Sequence, residues 1–417
     1  MTQLTLPKLP EWVAEMSVGC WYRISGHAPD LGLAPTPLGT RYLKDNDPAR
    51  DPRLNPARSA AERVRRLLGR EWQAPWSGRA GFSSITEAWN SAVYASRCGS
   101  SGAMVVFGGG HNDYFGSDVH AFDLAERQWR RLTTGYVTGG ADEYGGGAIY
   151  PRAVYPDGSP LPPHTYDYVQ YDDLGNDLLL LKGQTELGPN VKAVPIPHMF
   201  NLSTLTWRHG PKHPSAILNS GGFSTWDAKR RLLWGHSGDD GGGNAFVAFC
   251  PDGLNADATV GFWREFQSNK VPGEANHNAM QIHPIADLIV LALHARDSLA
   301  TIDPQYPAME IAPLKSRGPK PRIQEYAALQ YSPCLNALVY CSACDGAVVH
   351  AIVLEAEAQW RSLTKPTSLD PISDAARQTR QPINRAHTFG RFRVAHYGET
   401  DLALLVRHVD SPVYAMR

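Results

Sequence analysis

The stretch "FGGGHNDYFGSDVHAFDLAERQWRRL" (107–132) runs from the end of an apolar strand into three glycines and a polar loop. It then returns through two further strands, one carrying Phe122 and Asp123 and the next Trp129. Alternating apolar and polar residues interrupted by Gly, Asn and Asp mark antiparallel hairpins. A lone hairpin would leave strand edges unpaired, so the fold turns on whether this unit recurs.

It recurs along the chain. Closing strands rich in aromatic residues appear at "QWRRL" around Trp129, "TWRHG" around Trp207, "FWREF" around Trp263 and "QWRSL" around Trp360. Three are preceded by a matching strand: "HAFDL" (120–124), "HMFNL" (198–202) and "HAIVL" (350–354). Further upstream lie the apolar strands "MVVFGGG" (104–110), "DLLLLKG" (177–183), "RLLWGHSG" (231–238), "DLIVLALH" (287–294) and "ALVYCSAC" (337–344). Each follows an alternating strand: "WNSAVYAS" (89–96), "HTYDYVQYD" (164–172), "NSGGFSTWD" (219–227), "HNAMQIHP" (277–284) and "EYAALQYSP" (325–333). Four strands per unit, at roughly 45–60 residues per repeat, predict the blades of an all-β propeller.

The chain ends predict how the ring closes. "HTFGRFRVAH" (387–396), "DLALLVRH" (401–408) and "PVYAMR" (412–417) supply three strands, and "CWYRISG" (20–26) supplies a fourth with Trp21 in it. An N-terminal strand completing the last blade removes the free edges. The count is then six blades in a single domain over 1–417. A seventh would have to lie within 27–88, which is proline-rich and aperiodic except for a short helix over "SAAERVRRLLGREW" (59–72) with a Ser N-cap.

Composition narrows the function classes. The chain has 417 residues with 38 Gly, 32 Pro and 11 Trp, which suits many short strands and turns. A net charge of −1 with scattered Lys and Arg argues against a nucleic-acid partner. No apolar run approaches membrane-spanning length, so no membrane partner is expected. "MTQLTLPKLPEWVAEM" lacks the apolar centre of a secretion signal. It predicts a cytoplasmic protein, or a secreted or periplasmic one whose leader was removed. Six cysteines are too few for a disulfide scaffold. "CSAC" (341–344) has the spacing of half a zinc site but no matching second pair, and it is read as two semi-buried thiols.

The repeat resembles the kelch family of β-propellers over about residues 89–417: glycines after the second strand, an aromatic-Asp in the third, a Trp in the fourth. The fourth unit departs from it, since "TIDPQYPAMEIAPL" has no closing Trp. The resemblance implies that the starts of the inner strands and the loops from second to third strands open on one funnel face. That face would receive Asn90, His164 with Tyr166, Asn219, His277 with Asn278, Tyr326 and His387. It would also receive Gln184, His236, His294 with Arg296, and the loop from His111 to Tyr114. Neutral, aromatic and hydrogen-bonding side chains converging on a funnel suit a sugar-like ligand. His120, His198 and His350 instead repeat one third-strand position, which predicts packing between blades; His283 and His396, late in inner strands, are read as ordinary. The long connection 134–163, with Tyr144 and Arg152 among glycines, is expected to lie over the funnel.

A narrower resemblance rests on "GGHNDY" (109–114) and "PPHTY" (162–166), which look like the pattern of bacterial propeller polysaccharide lyases of the ulvan-lyase kind. It implies β-elimination on a uronate-containing glycan, an acidic polysaccharide or oligosaccharide, with His111 and Tyr166 catalytic and His164 and Asn112 assisting. Such chemistry needs a base for the C5 proton, a donor to the leaving oxygen, and a partner for the carboxylate. Arg385 or Arg296 could bind that carboxylate, and Tyr114, Tyr144, Arg152, His277, Asn278 and His387 would line the substrate. The cofactor is left open, and a divalent metal in or near the funnel is compatible with these residues. The alternatives are a non-catalytic propeller that binds a glycan or protein, and a sugar epimerase. A copper-radical oxidase of the galactose-oxidase kind would carry a Tyr-His pair, and the chain has no such dipeptide.

Overall fold

The computed structural model describes residues 5–25, 90–108, 117–133, 153–184, 193–214, 218, 221–238, 246–264, 277–305, 310–342, 347–371, 388, 390–406 and 412–417. Among the described residues its strands form six blades in a closed ring, with a separate two-stranded pair of Gly183–Gln184 and Ala193–Val194, and the innermost strand of each blade packs on that of the next. Blade one is Ala92–Ala95, Ala103–Val106, His120–Asp123 and Gln128–Arg131. Blade two is Val169–Asp172, Asp177–Leu180, His198–Asn201 and Thr206–His209. Blade three uses Phe223–Asp227, Leu232–His236, Phe246–Leu254 and Val260–Arg264; blade four uses Ala279–His283, Leu288–Leu293, Ser298–Ile302 and Ile311–Leu314. Blade five is Ala328–Ser332, Ala337–Cys341, Val349–Val353 and Ala358–Ser362, with Ser316–Arg317 added in parallel on its edge.

Blade six closes the ring as expected. Phe392–His396, Asp401–Val406 and Val413–Met416 come from the C-terminus, and Trp21–Arg23 pairs with the last of them, Trp21 opposite Met416. Trp21 is buried against Phe392, and its indole N–H donates to the Ala347 carbonyl of blade five at 3.1 Å. The closing strand therefore holds two blades at once.

The core lies between blades, where apolar side chains of facing sheets interdigitate. The closing tryptophans act here: Trp129 packs on Phe122, Trp207 on Phe200, and Trp263 on Phe249, with ring centroids 4.8–5.5 Å apart. Blade four does without one because Ile311 stands opposite Ile302, so two branched aliphatic residues fill the space. The turns between strands use short polar side chains to hold their own backbone. Asp123 Oδ1 accepts from the N–H groups of Ala125 and Glu126, and Asn201 Oδ1 from those of Ser203 and Thr204.

Candidate functional site

The funnel-side mouth is built by the residues that lead into the innermost strands. In blades two to five these are Tyr166 (φ 44°), Gly221 (φ 69°), His277 (φ 54°) and Tyr326 (φ 62°), all in the left-handed region. Glycine adopts this conformation freely, whereas for other residues it costs about 1–2 kcal/mol each. Two hydrogen bonds fix the turn across blades: the His277 N–H donates to the Gly221 carbonyl at 2.7 Å, and the Tyr326 N–H to the His277 carbonyl at 3.2 Å. Gly221 has no side chain, so the Tyr166 and His277 rings meet across blade three with centroids 5.6 Å apart. The Tyr326 ring lies 4.1 Å beyond His277, and the His164 ring stands 6.2 Å from Tyr166 on the other side. Four rings thus form an arc at one end of the channel.

Beneath the arc lies a residue the sequence reading passed over. Lys182 lies two residues beyond the second strand of blade two and is 5% exposed. Its ammonium sits 4.9 Å from the centre of the Tyr166 ring and 5.9 Å from that of Tyr168, and it donates to the His164 carbonyl at 3.2 Å. Burial pushes this amine down to about 7, so near neutral pH it exchanges between charged and neutral forms. A perturbed amine among aromatic rings at a channel mouth is the kind of group found in working sites.

The turn that carries Tyr166 is set by residues behind it. Asn90 is fully buried, and its side-chain carbonyl accepts from the Thr165 N–H at 3.0 Å. Gly108, first of the three glycines in the opening stretch, lies against this bridge. A Cβ there would stand 2.7 Å from Asn90 Oδ1 and 2.8 Å from the Pro163 carbonyl, and its φ is +127°. One function of the glycine cluster is thus to let the first blade approach the backbone that presents Tyr166.

Several expected residues have other duties. Asn278 is buried, and its Oδ1 accepts from the His294 N–H at 3.0 Å, so it orders the loop after blade four's second strand. Arg296 sits in an exposed short 3₁₀ turn, His294–Arg296, on that loop. His277 Nε2 lies 3.8 Å from Glu325 Oε1. His236, expected at the rim, is instead fully buried between the Phe223 and Phe246 rings, because the second strand of blade three extends through it. His120, His198 and His350 are buried, and their described contacts lie within their own blades: His120 Nε2 pairs with Asp118 Oδ2 at 2.6 Å, and the His350 ring meets that of Trp360. His198 and His209 meet through their Nδ1 atoms at 2.8 Å, and burial lowers both imidazoles' proton affinity. His111, Asn112, Tyr114, Tyr144, Arg152, Arg385 and His387 lie outside the described residues, as do 27–88 and 134–152. The described end of the long connection, 153–163, is tied to the walls: Gln184 donates to the Pro162 carbonyl and His209 to that of Gly158.

An ion pair separates this mouth from the rest of the channel. Arg393 of blade six is 3% exposed; its Nε donates to the Ala92 carbonyl at 2.6 Å and its Nη2 meets Asp167 Oδ1 at 2.8 Å. It therefore links blades six, one and two. Burial raises the Asp167 carboxyl, and Arg393 opposes that shift. On the far side of Arg393 opens a cavity of about 300 Å³ lined by Gln170, Gln281, Gln330, Trp226, Tyr331 and His396. At its edge, burial and the Asp401 carboxylate push the Cys334 thiol up to about 11, which makes it a poor nucleophile.

No protein-family model and no curated protein matches the chain. Among solved structures it is similar to the major Malassezia sympodialis allergen Mala s 1, at 10% identity and a TM-score of 0.45, over 80% of this chain and 92% of that one. It is also similar to TolB from Acinetobacter baumannii, at 10% identity and a TM-score of 0.38, over 67% of this chain and 55% of that one. Such distant likenesses say nothing of activity. The six-bladed propeller is established by the strand pairing itself.

Proposed function

We propose that the funnel-side mouth binds an acidic, uronate-containing glycan and that the protein is a lyase cleaving it by β-elimination. The observation that carries this reading is the arc of Tyr166, His277 and Tyr326, held in left-handed turns, over the desolvated amine of Lys182. Sugar rings present C–H faces that pack on aromatic rings, and a cation nearby draws the uronate carboxylate. Elimination then needs one group to take the proton at C5 and another to deliver a proton to the departing oxygen at C4. Tyr166 and His277, with rings in contact, supply a phenol and an imidazole for these two transfers. Glu325 orients the imidazole, and Lys182 balances the charge that builds on the carboxylate as the C5 proton leaves. The His111 loop remains the sequence's own candidate for completing this set.

A second reading, a propeller that binds a glycan without cleaving it, is favoured by one observation: Tyr166 is only 6% exposed. One assay separates the two. Incubation with a panel of uronate-containing polysaccharides should produce the ultraviolet absorbance of the unsaturated uronate product. Tyr166→Phe should lower that rate by about 10²-fold or more, the usual scale for losing a proton-transfer group. Binding of a uronate glycan with no absorbance rise would overturn the lyase reading in favour of the second.

A further inference from the structure

We propose a second site, at the opposite mouth of the channel, in which Cys334, His396 and Asp401 bind a divalent metal of the zinc type and staple blade five to blade six. Among the described residues this is the only group of three where such ligand atoms come within 4.8 Å of one another. The three residues belong to two blades. Cys334 stands in the turn after the innermost strand of blade five, while His396 and Asp401 face each other across the hairpin of blade six.

The geometry is close to that of a coordination sphere. Cys334 Sγ lies 3.8 Å from His396 Nδ1, and His396 Nδ1 lies 2.7 Å from Asp401 Oδ1. In a tetrahedral zinc site with ordinary bond lengths, neighbouring ligand atoms stand about 3.3–3.6 Å apart. The sulfur and nitrogen need to close by only about 0.2 Å, and the nitrogen and oxygen to part by roughly 0.6 Å as the metal replaces the proton between them. The carboxylate is aimed in advance, because its other oxygen accepts from Ser332 Oγ at 2.5 Å and from the Cys334 N–H at 3.0 Å. Such outer contacts fix ligand orientation in metal sites.

Charge and ligand type choose the metal. One thiolate and one carboxylate supply two negative charges, which neutralise a divalent ion. Thiolate with imidazole suits zinc or cobalt over magnesium or calcium, which take oxygen ligands. On binding, the thiol releases one proton, and the imidazole moves its remaining proton to Nε2. A fourth ligand has room: Cys334 and Asp401 line a cavity of about 300 Å³ together with Glu399, Thr400 and the ring-closing residues Val18, Gly19 and Met416. The metal therefore sits beside the seam where the N-terminal strand completes the ring, and binding it should stabilise the closed propeller by mass action.

The test uses the metal-free full-length protein and cobalt(II), with zinc for stability. The wild type should take up one cobalt ion with a thiolate-to-cobalt charge-transfer band in the near ultraviolet, and zinc should raise its melting temperature. Cys334→Ser, at an exposed position, should fold normally, lose the band and lose the zinc-dependent rise. His396→Gln should weaken cobalt binding by at least about tenfold. Absence of the band in the wild type, or a band that persists in Cys334→Ser, would overturn the site.

Discussion

The two mouths of one channel are made by the same six innermost strands, yet they differ in how they treat charge. At the funnel-side mouth, Tyr166, His277 and Tyr326 enter their strands in left-handed turns, and an amine is buried beneath them. At the opposite mouth the strands leave through hairpins whose charged groups are paired. Arg230 there meets Asp227 and Asp287 at 2.8 and 2.7 Å, joining blades three and four. Lys182, by contrast, has only carbonyl and ring partners among the contacts described for it. Left-handed residues also stand in the opposite hairpins, at Asn176, Arg231, Asp287 and Asn336, so the two ends differ in charge: an amine is desolvated at one, and charges are paired at the other. On the proposed reading this asymmetry in charge places the chemistry at the funnel side, because stable scaffolds tolerate a desolvated charge mainly where function requires it.

The sharpest way to break this comparison is Lys182→Met. On the proposed reading it lowers turnover by about 10²-fold or more, while making the protein more stable near neutral pH. The sign follows from linkage: the folded amine titrates near 7 and the unfolded one near 10.5, so between these values the unfolded chain holds the extra proton. Wild-type stability should therefore climb with pH across that window, by up to about 1.4 kcal/mol per pH unit, and the slope should vanish in the variant. Denaturant melts at several pH values would show it; an unchanged slope would mean that Lys182 is not buried as described.

A smaller effect is expected at the other end. Arg230 beside Asp287 holds that carboxyl down at about 2, so its stabilisation is present above the ordinary value of 3.8 and disappears as the pH falls through 2. Asp287→Asn should cost about 1–2 kcal/mol at neutral pH, remove that acid-dependent loss, and leave turnover unchanged. A large fall in turnover would erase the distinction between the mouths.

Much of the architecture was legible because each blade repeats its own hairpin chemistry. Strands, turns and the seam at Trp21 follow from alternation, Asp and Asn turns, and the missing fourth strand at the C-terminus. Blade four was legible except for its edge, where the Ile302–Ile311 pair replaces an aromatic pair and carries no distinctive residue. The four rings of the candidate site were also visible: His164, Tyr166, His277 and Tyr326 stand where the inner strands begin. Lys182 was missed because a lysine after four leucines reads as a strand end reaching solvent, and only the packing of Tyr166 and Tyr168 covers it. Arg393 and Asp167 were missed for a related reason. Each is one polar position in an alternating strand, and nothing in the spacing says that they meet from different blades. His236 misled in the opposite direction, since a histidine beside glycine and serine reads as a loop residue until two phenylalanines enclose it.

The most direct test of the central claim asks which mouth holds the glycan. Titration of a uronate oligosaccharide should be followed by calorimetry in the wild type, in Tyr326→Ala and in Gln281→Ala. Loss of the Tyr326 ring removes an aromatic face from the arc and should weaken binding about tenfold. Gln281 lines the cavity beyond Arg393, and its loss should leave the affinity unchanged. If Gln281→Ala weakens binding and Tyr326→Ala does not, the glycan lies at the wrong end of the channel and the account fails.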